Sequence, residues 1–278
     1  MNGIGYKIKK TILYILLNLL SVVCMFPFLL MIVNATRSGS EIMKSFTLIP
    51  SVYLKENWAT VFKYFNLFLG MWNSLKVAVP STLLCAYFSA MTAYALAMYK
   101  FKGNKVLFMT ILIFMMIPGQ LGLIGFYNLC TKLHLVNSYI PLIIPAIASP
   151  GTVFFLRQYV LSVMPPSLIE AARIDGSGEF HTFNNIVLPL MKPAIAVQAI
   201  FTFVSSWNNY FVPALILHND KKKTLPILIA QLRAADWLKF DMGQVYVMIA
   251  FSIFPVIIIY LILSRHIVQG VALGSVKG

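Results

Sequence analysis

The residues of this chain that could do chemistry are few and widely spaced. Four histidines, His134, His181, His218 and His266, stand at no metal-ligand spacing, and neither an H-E-x-x-H pair nor a G-x-S-x-G turn occurs. The three cysteines, Cys24, Cys85 and Cys130, lie in or beside apolar runs, without the paired spacing of a zinc site or a disulfide framework. No Gly-Lys dipeptide occurs, so the chain has no Walker A loop and is not expected to hydrolyse ATP by that route. Polar function gathers instead in three stretches. The first, EAARIDGSGEFHTFNNIVLPL from Glu170 to Leu190, holds Glu170, Asp175 and Glu179, three of only eight acidic residues. The second, SSWNNYF from Ser205 to Phe211, offers the Trp207 ring for stacking, and Asn208, Asn209 and Tyr210 for hydrogen bonds, along a candidate substrate path inside an apolar run. The reading the residue types favour is that the same groups only bond to neighbouring helices. The third, SRHIVQGVALGSVKG, closes the chain with Gly270, Gly274 and Lys277.

The elements that must position these residues are set by composition. Of 278 residues 59% are hydrophobic and 11% charged, with a mean hydropathy of +0.82. A soluble domain carries about 25% charged residues, so the bilayer must be the solvent for most of this surface. The net charge of +14 is spread over the ends of apolar runs and forms no extended basic stripe, which argues against a nucleic-acid partner. Six runs, approximately 11–34, 72–98, 106–127, 138–160, 193–217 and 244–264, reach the roughly 20 apolar residues a spanning helix needs. Their continuity argues for helices, since barrel strands alternate and are shorter. The first run exceeds the roughly 7–15 residues of a signal-peptide core and no A-x-A-like site follows, so it reads as an uncleaved span.

Six spans place both ends on one side. Lys7, Lys9 and Lys10 precede the first span and only Arg37 follows it closely; "YKFKGNK" between spans two and three is a compact basic turn. The positive-inside rule then puts both ends in the cytoplasm, against the outer run Lys221–Lys223. Lys76, near the outer end of span two, is expected to snorkel. In the outer loop, Trp58, Val61, Phe62, Phe65, Phe68 and Leu69 share one helical face and predict an amphipathic helix on the membrane surface.

On this topology the loop 157–192 is cytoplasmic. Pro165 and Pro166 open a helix, Ser167 is its expected cap with Glu170 three residues on, and Gly176 and Gly178 end it. A second short helix, with Phe180, Phe183, Ile186 and Val187, leads through Pro189 and Pro193 into span five. A compact, partly apolar knob of this kind suits a protein partner; the alternative is a hairpin packed on its own bundle.

This loop resembles the permease subunits of binding-protein-dependent ABC importers. Their motif is E-A-A, three residues, G, nine residues, I-x-L-P; here it is Glu170-Ala171-Ala172, Gly176 and Ile186-Val187-Leu188-Pro189, with Asp175 beside the glycine. The likeness extends over nearly the whole chain, through "NSLKVAVPSTLLCAYFSAMTAYALAMYKFKG", "LPLMKPAIAVQAIFTFVSSWNNYFVPAL" and the ending "QGVALGSVKG", and is nearest the second, six-helix permease of maltose-type carbohydrate systems. It implies an all-α, six-helix type I importer fold forming one permease domain, with a coupling helix in loop 157–192 and a cytoplasmic tail 265–278. It implies a homologous second permease, two ATPase subunits carrying ATP and Mg, an extracytoplasmic sugar-binding protein and a sugar substrate, in a bacterial-type cytoplasmic membrane. No cofactor is expected on this chain. By the same resemblance Gly270, Gly274 and Lys277 would contact the ATPases. Two other classes, a stand-alone secondary transporter and an intramembrane enzyme, lack support: no internal repeat and no catalytic set occurs.

Overall fold

The amphipathic loop and the long apolar runs resolve into helices in the computed structural model, which describes the backbone of residues 4–235 and 241–274 and the side chains of 6–235 and 241–265. Among the described residues all regular structure is helical. Four helical stretches are long and apolar enough to cross a bilayer: Tyr6–Ala35, Leu67–Met98, Ile140–Val163 and Met242–Arg265. Two bent pairs, Asn104–Met116 with Gly119–Lys132 and Glu179–Leu190 with Lys192–Trp207, raise the number to six if each pair is one span. The chain divides into two compact units.

The first unit joins the chain up to Leu67 to Leu228–Phe254. Helix α1 (Ile4–Ala35) buries none of its most apolar window, so lipid or another chain must cover it. Beyond it Arg37 is buried, and its guanidinium donates to the carbonyls of Glu41 (2.7 Å) and Ser45 (3.0 Å), which wraps α2 (Gly39–Lys44) around it. Ser38 and Glu41 form a reciprocal capping box at the start of α2. Asn57, buried on α3 (Leu54–Tyr64), donates from Nδ2 to the carbonyls of Ala35 and Arg37 at 3.0 and 2.9 Å. Part of the amphipathic face expected on the membrane surface packs within the unit, while Trp58 stays 42% exposed. Trp58 stacks on Phe62 with centroids 4.6 Å apart, and both meet Phe251 edge-on, since pairing aromatic rings is worth more than area burial alone.

The second unit joins Phe68–Ile227 to the chain from Pro255 onward. Helix α4 (Leu67–Met98) is followed by α5 (Asn104–Met116), then by an 87° bend at Ile117–Pro118 into α6 (Leu123–Lys132). The sequence reads one continuous run over 106–127; Pro118, which cannot donate its backbone nitrogen, divides it. Next come α7 (Ile140–Ile143), a tight turn, and α8 (Pro150–Val163). The polar loop forms α9 (Pro166–Ile174), α10 (Glu179–Thr182) and, past a π-helical turn at Phe183–Val187, α11 (Leu188–Leu190). Helix α12 (Lys192–Trp207) ends well before the expected limit of run 193–217, and α13 (Phe211–Ile216) is separate. The side chain of Asn209 accepts from the Val212 N–H at 3.4 Å, while Pro213 bars a continuous helix. The last two helices, α14 (Leu225–Ala234) and α15 (Met242–Gly274), each contribute residues to both units.

Helices α4, α8 and α12 meet at a weakly polar seam where Cys85 Sγ lies 3.6 Å from both Thr152 Oγ1 and Thr202 Oγ1. Small side chains of this kind let membrane helices approach closely. Lys76 places its ammonium over the Trp72 ring, 5.6 Å from the centroid. At the same end of α4, Asn73 donates to the carbonyls of Lys221 and Lys223, and Ser74 accepts from Leu225 N–H at 2.9 Å.

Candidate functional site

Helix α9 starts without a side-chain cap. Pro165 occupies the cap position and Pro166 the first turn, where a missing N–H costs nothing. Ser167 is therefore inside the helix and not its cap, and Glu170 stands in the second turn, so the capping box expected from the sequence does not form. The helix stops as the glycine predicts. Gly176 has φ of 78°, its N–H bonds to Arg173 O at 3.0 Å, and the Ser177 N–H bonds to Ala172 O at 2.9 Å. This crossed pair is a Schellman turn, which needs a left-handed residue at that position. An added Cβ would meet nothing within 4 Å, so the requirement lies in the backbone and not in space.

The motif divides by face. Ile169 and Ala172 are buried, and Ile169 packs in the core cluster with Leu156, Val160 and Met164 of the preceding segment and Phe183, Val187 and Met191 of the following one. Glu170, Ala171, Asp175 and Gly176 are exposed. So are two large apolar side chains beside them, Ile174 at 85% and Phe180 at 69%, more than a solvated turn requires. Ile186 and Leu188 are half-buried, and Leu188 packs on the core cluster; Pro189 is exposed. The π turn precedes Pro189, with the Leu188 N–H reaching five residues back to Phe183 O. A widened turn of this type relieves the clash a proline makes with the carbonyl four residues earlier.

The knob is fastened to α4. Phe183 stacks on Tyr94 (centroids 5.9 Å) and meets Tyr87 edge-on at 5.6 Å, and the Tyr87 hydroxyl donates to Asn184 Oδ1 at 3.2 Å. Just beyond α4, the Tyr99 hydroxyl donates to Glu179, whose other oxygen takes Arg173 Nε at 2.8 Å. The Arg173 guanidinium also lies over the Tyr99 ring. Burial and these hydrogen bonds push the Tyr99 hydroxyl well above the ordinary tyrosine range. The bonds from Tyr99 and Arg173 hold Glu179 below the usual carboxylate value. Glu179, Tyr99 and Arg173 did not stand out in the sequence as a group; Glu179 was one of the loop's three acids, but its partners lie 80 residues before it and six residues before it.

The second polar stretch is dispersed. Trp207 is buried and stacks on Phe203 at 5.7 Å between centroids. Asn208 is exposed at the end of α12, and Tyr210 packs edge-on against Phe211. Asn209 lines two neighbouring cavities, of about 430 and 340 Å³. The smaller is polar, with Thr152, Gln198, Thr202, Ser205 and Ser206 in its wall; neither of the two is lined by Trp207. Gln198, Thr202, Ser205 and Asn209 recur at i, i+4, i+7 and i+11, a helical stripe visible in the sequence. The third stretch differs from the expected tail: α15 continues through Arg265 to Gly274, so Gly270 and Gly274 are helical. The apolar residues Ile267, Val268, Val271 and Leu273 extend the span's helical composition across its polar junction. Lys277 lies outside the described residues.

Against this geometry stand the similarities to known proteins. The profile of the family described as "Binding-protein-dependent transport system inner membrane component" matches residues 83–273. The arabinooligosaccharides transport system permease protein AraQ of Bacillus subtilis (strain 168) is 36% identical, over 98% of this chain and 96% of its own. The lactose transport system permease protein LacG of Rhizobium radiobacter is 28% identical over the full length of both. Among solved structures, a bacterial ABC transporter involved in the import of the acidic polysaccharide alginate has a chain that covers 95% of this one with a TM-score of 0.75. At 22% identity that likeness bears on the fold.

Proposed function

The chain belongs to the family of inner membrane components of binding-protein-dependent transport systems, and from that premise we propose that it forms half of the pore of an ATP-driven importer of a sugar or oligosaccharide. The observation that carries the coupling part of this reading is the division of the Glu170–Pro189 motif. One face is rooted in the core of the second unit, and the other presents Glu170, Asp175, Ile174 and Phe180 outward. In this reading the outward face seats on a separate ATPase subunit, which holds ATP and Mg, on the cytoplasmic side together with both chain ends. Closure of two ATPases pushes on α9 and α10. The Tyr94–Phe183 stack and the Tyr99–Glu179–Arg173 contacts pass that push to α4. A homologous permease completes the pore, and an extracytoplasmic binding protein delivers the substrate.

A carbohydrate substrate is supported by the named cargoes of the relatives, arabinooligosaccharides and lactose among them. The polar cavity at Gln198, Thr202, Ser205 and Asn209 supplies amides and hydroxyls suited to sugar hydroxyls. The C-terminal turns of α15, with Gly270 and Gly274, reach toward the ATPases, and Lys277 adds a cation there. The test is purification of the chain with its operon partners. A soluble ATPase should co-purify, and vesicles holding the complex and binding protein should take up oligosaccharide only with ATP. Uptake by this chain alone, driven by an ion gradient, would refute the reading.

A further inference from the structure

The lysines of the turn between α4 and α5 take no part in the contacts of Tyr99 with Glu179 and Arg173. Lys100, Lys102 and Lys105 stand there with Arg157 of α8 around an open cavity of about 640 Å³. That size lies within the roughly 300–1,000 Å³ of small-molecule sites. The turn is built firmly: Gly103 has φ of 93°, and Asn104 Nδ2 donates to the carbonyls of Leu96 and Tyr99 at 3.2 and 2.9 Å. Arg157 is half-buried, with its guanidinium 4.0 Å from the Phe108 ring centroid and its Nε on Leu96 O at 3.4 Å. Among the described residues none of the four cations has a carboxylate within 4.0 Å, and no carboxylate lines the cavity. Glu179, which contacts the lining residue Tyr99, is already held by Arg173. Four cations converging without an anion leave an electrostatic demand that a phosphate meets best, above all through the fork of an arginine.

The rest of the wall identifies the bearer of that phosphate. Phe101 and Val106 line the same cavity and are exposed, and α5 continues from it with exposed Leu107, Met109, Ile113 and Phe114. A free phosphate would gain nothing from this apolar surface, whereas acyl chains would lie along it with their headgroup among the lysines. We propose that the α4–α5 turn and Arg157 form a binding site for the phosphate of an anionic phospholipid. Basic pockets between membrane helices recognise anionic headgroups by this chemistry. The site does not depend on what the protein transports.

The probes are dioctanoyl-phosphatidylglycerol, dioctanoyl-phosphatidylcholine and inorganic phosphate, each titrated into the full chain in a neutral detergent and read by native mass spectrometry and thermal unfolding. Phosphatidylglycerol should bind and raise the melting temperature, with affinity falling as salt rises; phosphatidylcholine should bind far more weakly. Replacing the exposed Lys102 by Gln should weaken phosphatidylglycerol about fivefold, and replacing Lys100, Lys102 and Lys105 together on the order of a hundredfold. Arg157→Gln should do likewise, and the single lysine variant keeps the test valid should loss of the Phe108 contact unfold that protein. Equal binding of the two lipids, or an unchanged affinity in the lysine variants, would overturn the proposal. Inorganic phosphate displacing the lipid at equal affinity would overturn the lipid source and leave a free-phosphate site.

Discussion

Arg173 Nε and Glu179 Oε1 stand 2.8 Å apart across the glycine turn that ends α9. The pair ties the last turn of one short helix to the first turn of the next, and the Tyr99 hydroxyl joins it from beyond α4. Glutamine at 179 would keep the shape and remove the charge; phenylalanine at 99 would remove the hydroxyl alone. Both variants should assemble with the ATPase and lose coupling, read as ATP hydrolysed per sugar imported. Unchanged stoichiometry in both would show that the contacts are ornamental.

The same contacts define a pH range. Glu179 is lowered from its ordinary 4.5, chiefly by the Tyr99 and Arg173 hydrogen bonds, so its contribution is complete above that value and is lost as pH falls through the folded-state value below it. Tyr99 is raised from 10.0, so its contribution is complete below 10.0 and is lost as pH rises through the higher folded-state value. Amide exchange protection of α9 and α10, corrected for intrinsic rates, should be flat between these limits. A titration step near neutral pH that survives replacement of His181 on α10 by Gln would contradict the assignment.

Reversing charge at Glu170 should abolish coupling while the protein still inserts. A lysine facing a partner's docking surface costs about 2–5 kcal/mol when its site is desolvated, so sugar uptake should fall roughly thirtyfold or more. Gly176→Asp and Gly176→Asn separate backbone from charge. Both types tolerate the left-handed region better than most residues, and both find open space. Only the aspartate should lose substrate-stimulated ATPase activity; equal loss in both would assign the effect to the turn.

Gly243 faces the Arg37 carbonyl so closely that an added Cβ would lie 2.1 Å from its oxygen and 2.6 Å from Asn57 Nδ2. Gly243→Ala must displace the junction of α15 with the end of α1, at about 1–3 kcal/mol by analogy with overpacked cores. Gly178→Ala, which meets nothing within 4 Å, should leave the melting temperature unchanged. A silent Gly243→Ala would refute the close approach.

At the polar cavity, Gln198→Ala should weaken apparent sugar affinity without altering the melting temperature, whereas Asn209→Ala should weaken it and also lower the melting temperature slightly, because the Asn209 side chain accepts the Val212 N–H. Trp207→Ala should instead destabilise the second unit by roughly 3–5 kcal/mol, because the ring is buried on Phe203. Transport kinetics and unfolding on the same preparations separate the two effects.

The helical class and the turn at Gly176 were legible because both rest on local signals: long apolar runs, and a glycine at the position a Schellman turn demands. The loop's start was misread at Ser167 because two prolines already satisfy the helix entry without a side-chain cap. Tyr99 escaped notice because its partner Glu179 lies 80 residues away, and no local pattern encodes that pairing. Around Trp58 periodicity marks an apolar stripe without saying what covers it, and the Phe251 contact, 193 residues away, has no local signal. At Trp207 chemistry suggested a ligand platform; register along α12 places the indole inward and the polar stripe through Gln198 and Asn209 on the cavity.

Helix α15 runs 33 residues to Gly274, about 50 Å at 1.5 Å per residue, against a hydrocarbon core of about 30 Å. The helix is about 20 Å longer than that core is thick, so its surplus turns stand outside the apolar layer with their backbone groups already paired within the helix. Pro255, inside the helix, removes one of those pairings and is where a bend costs least.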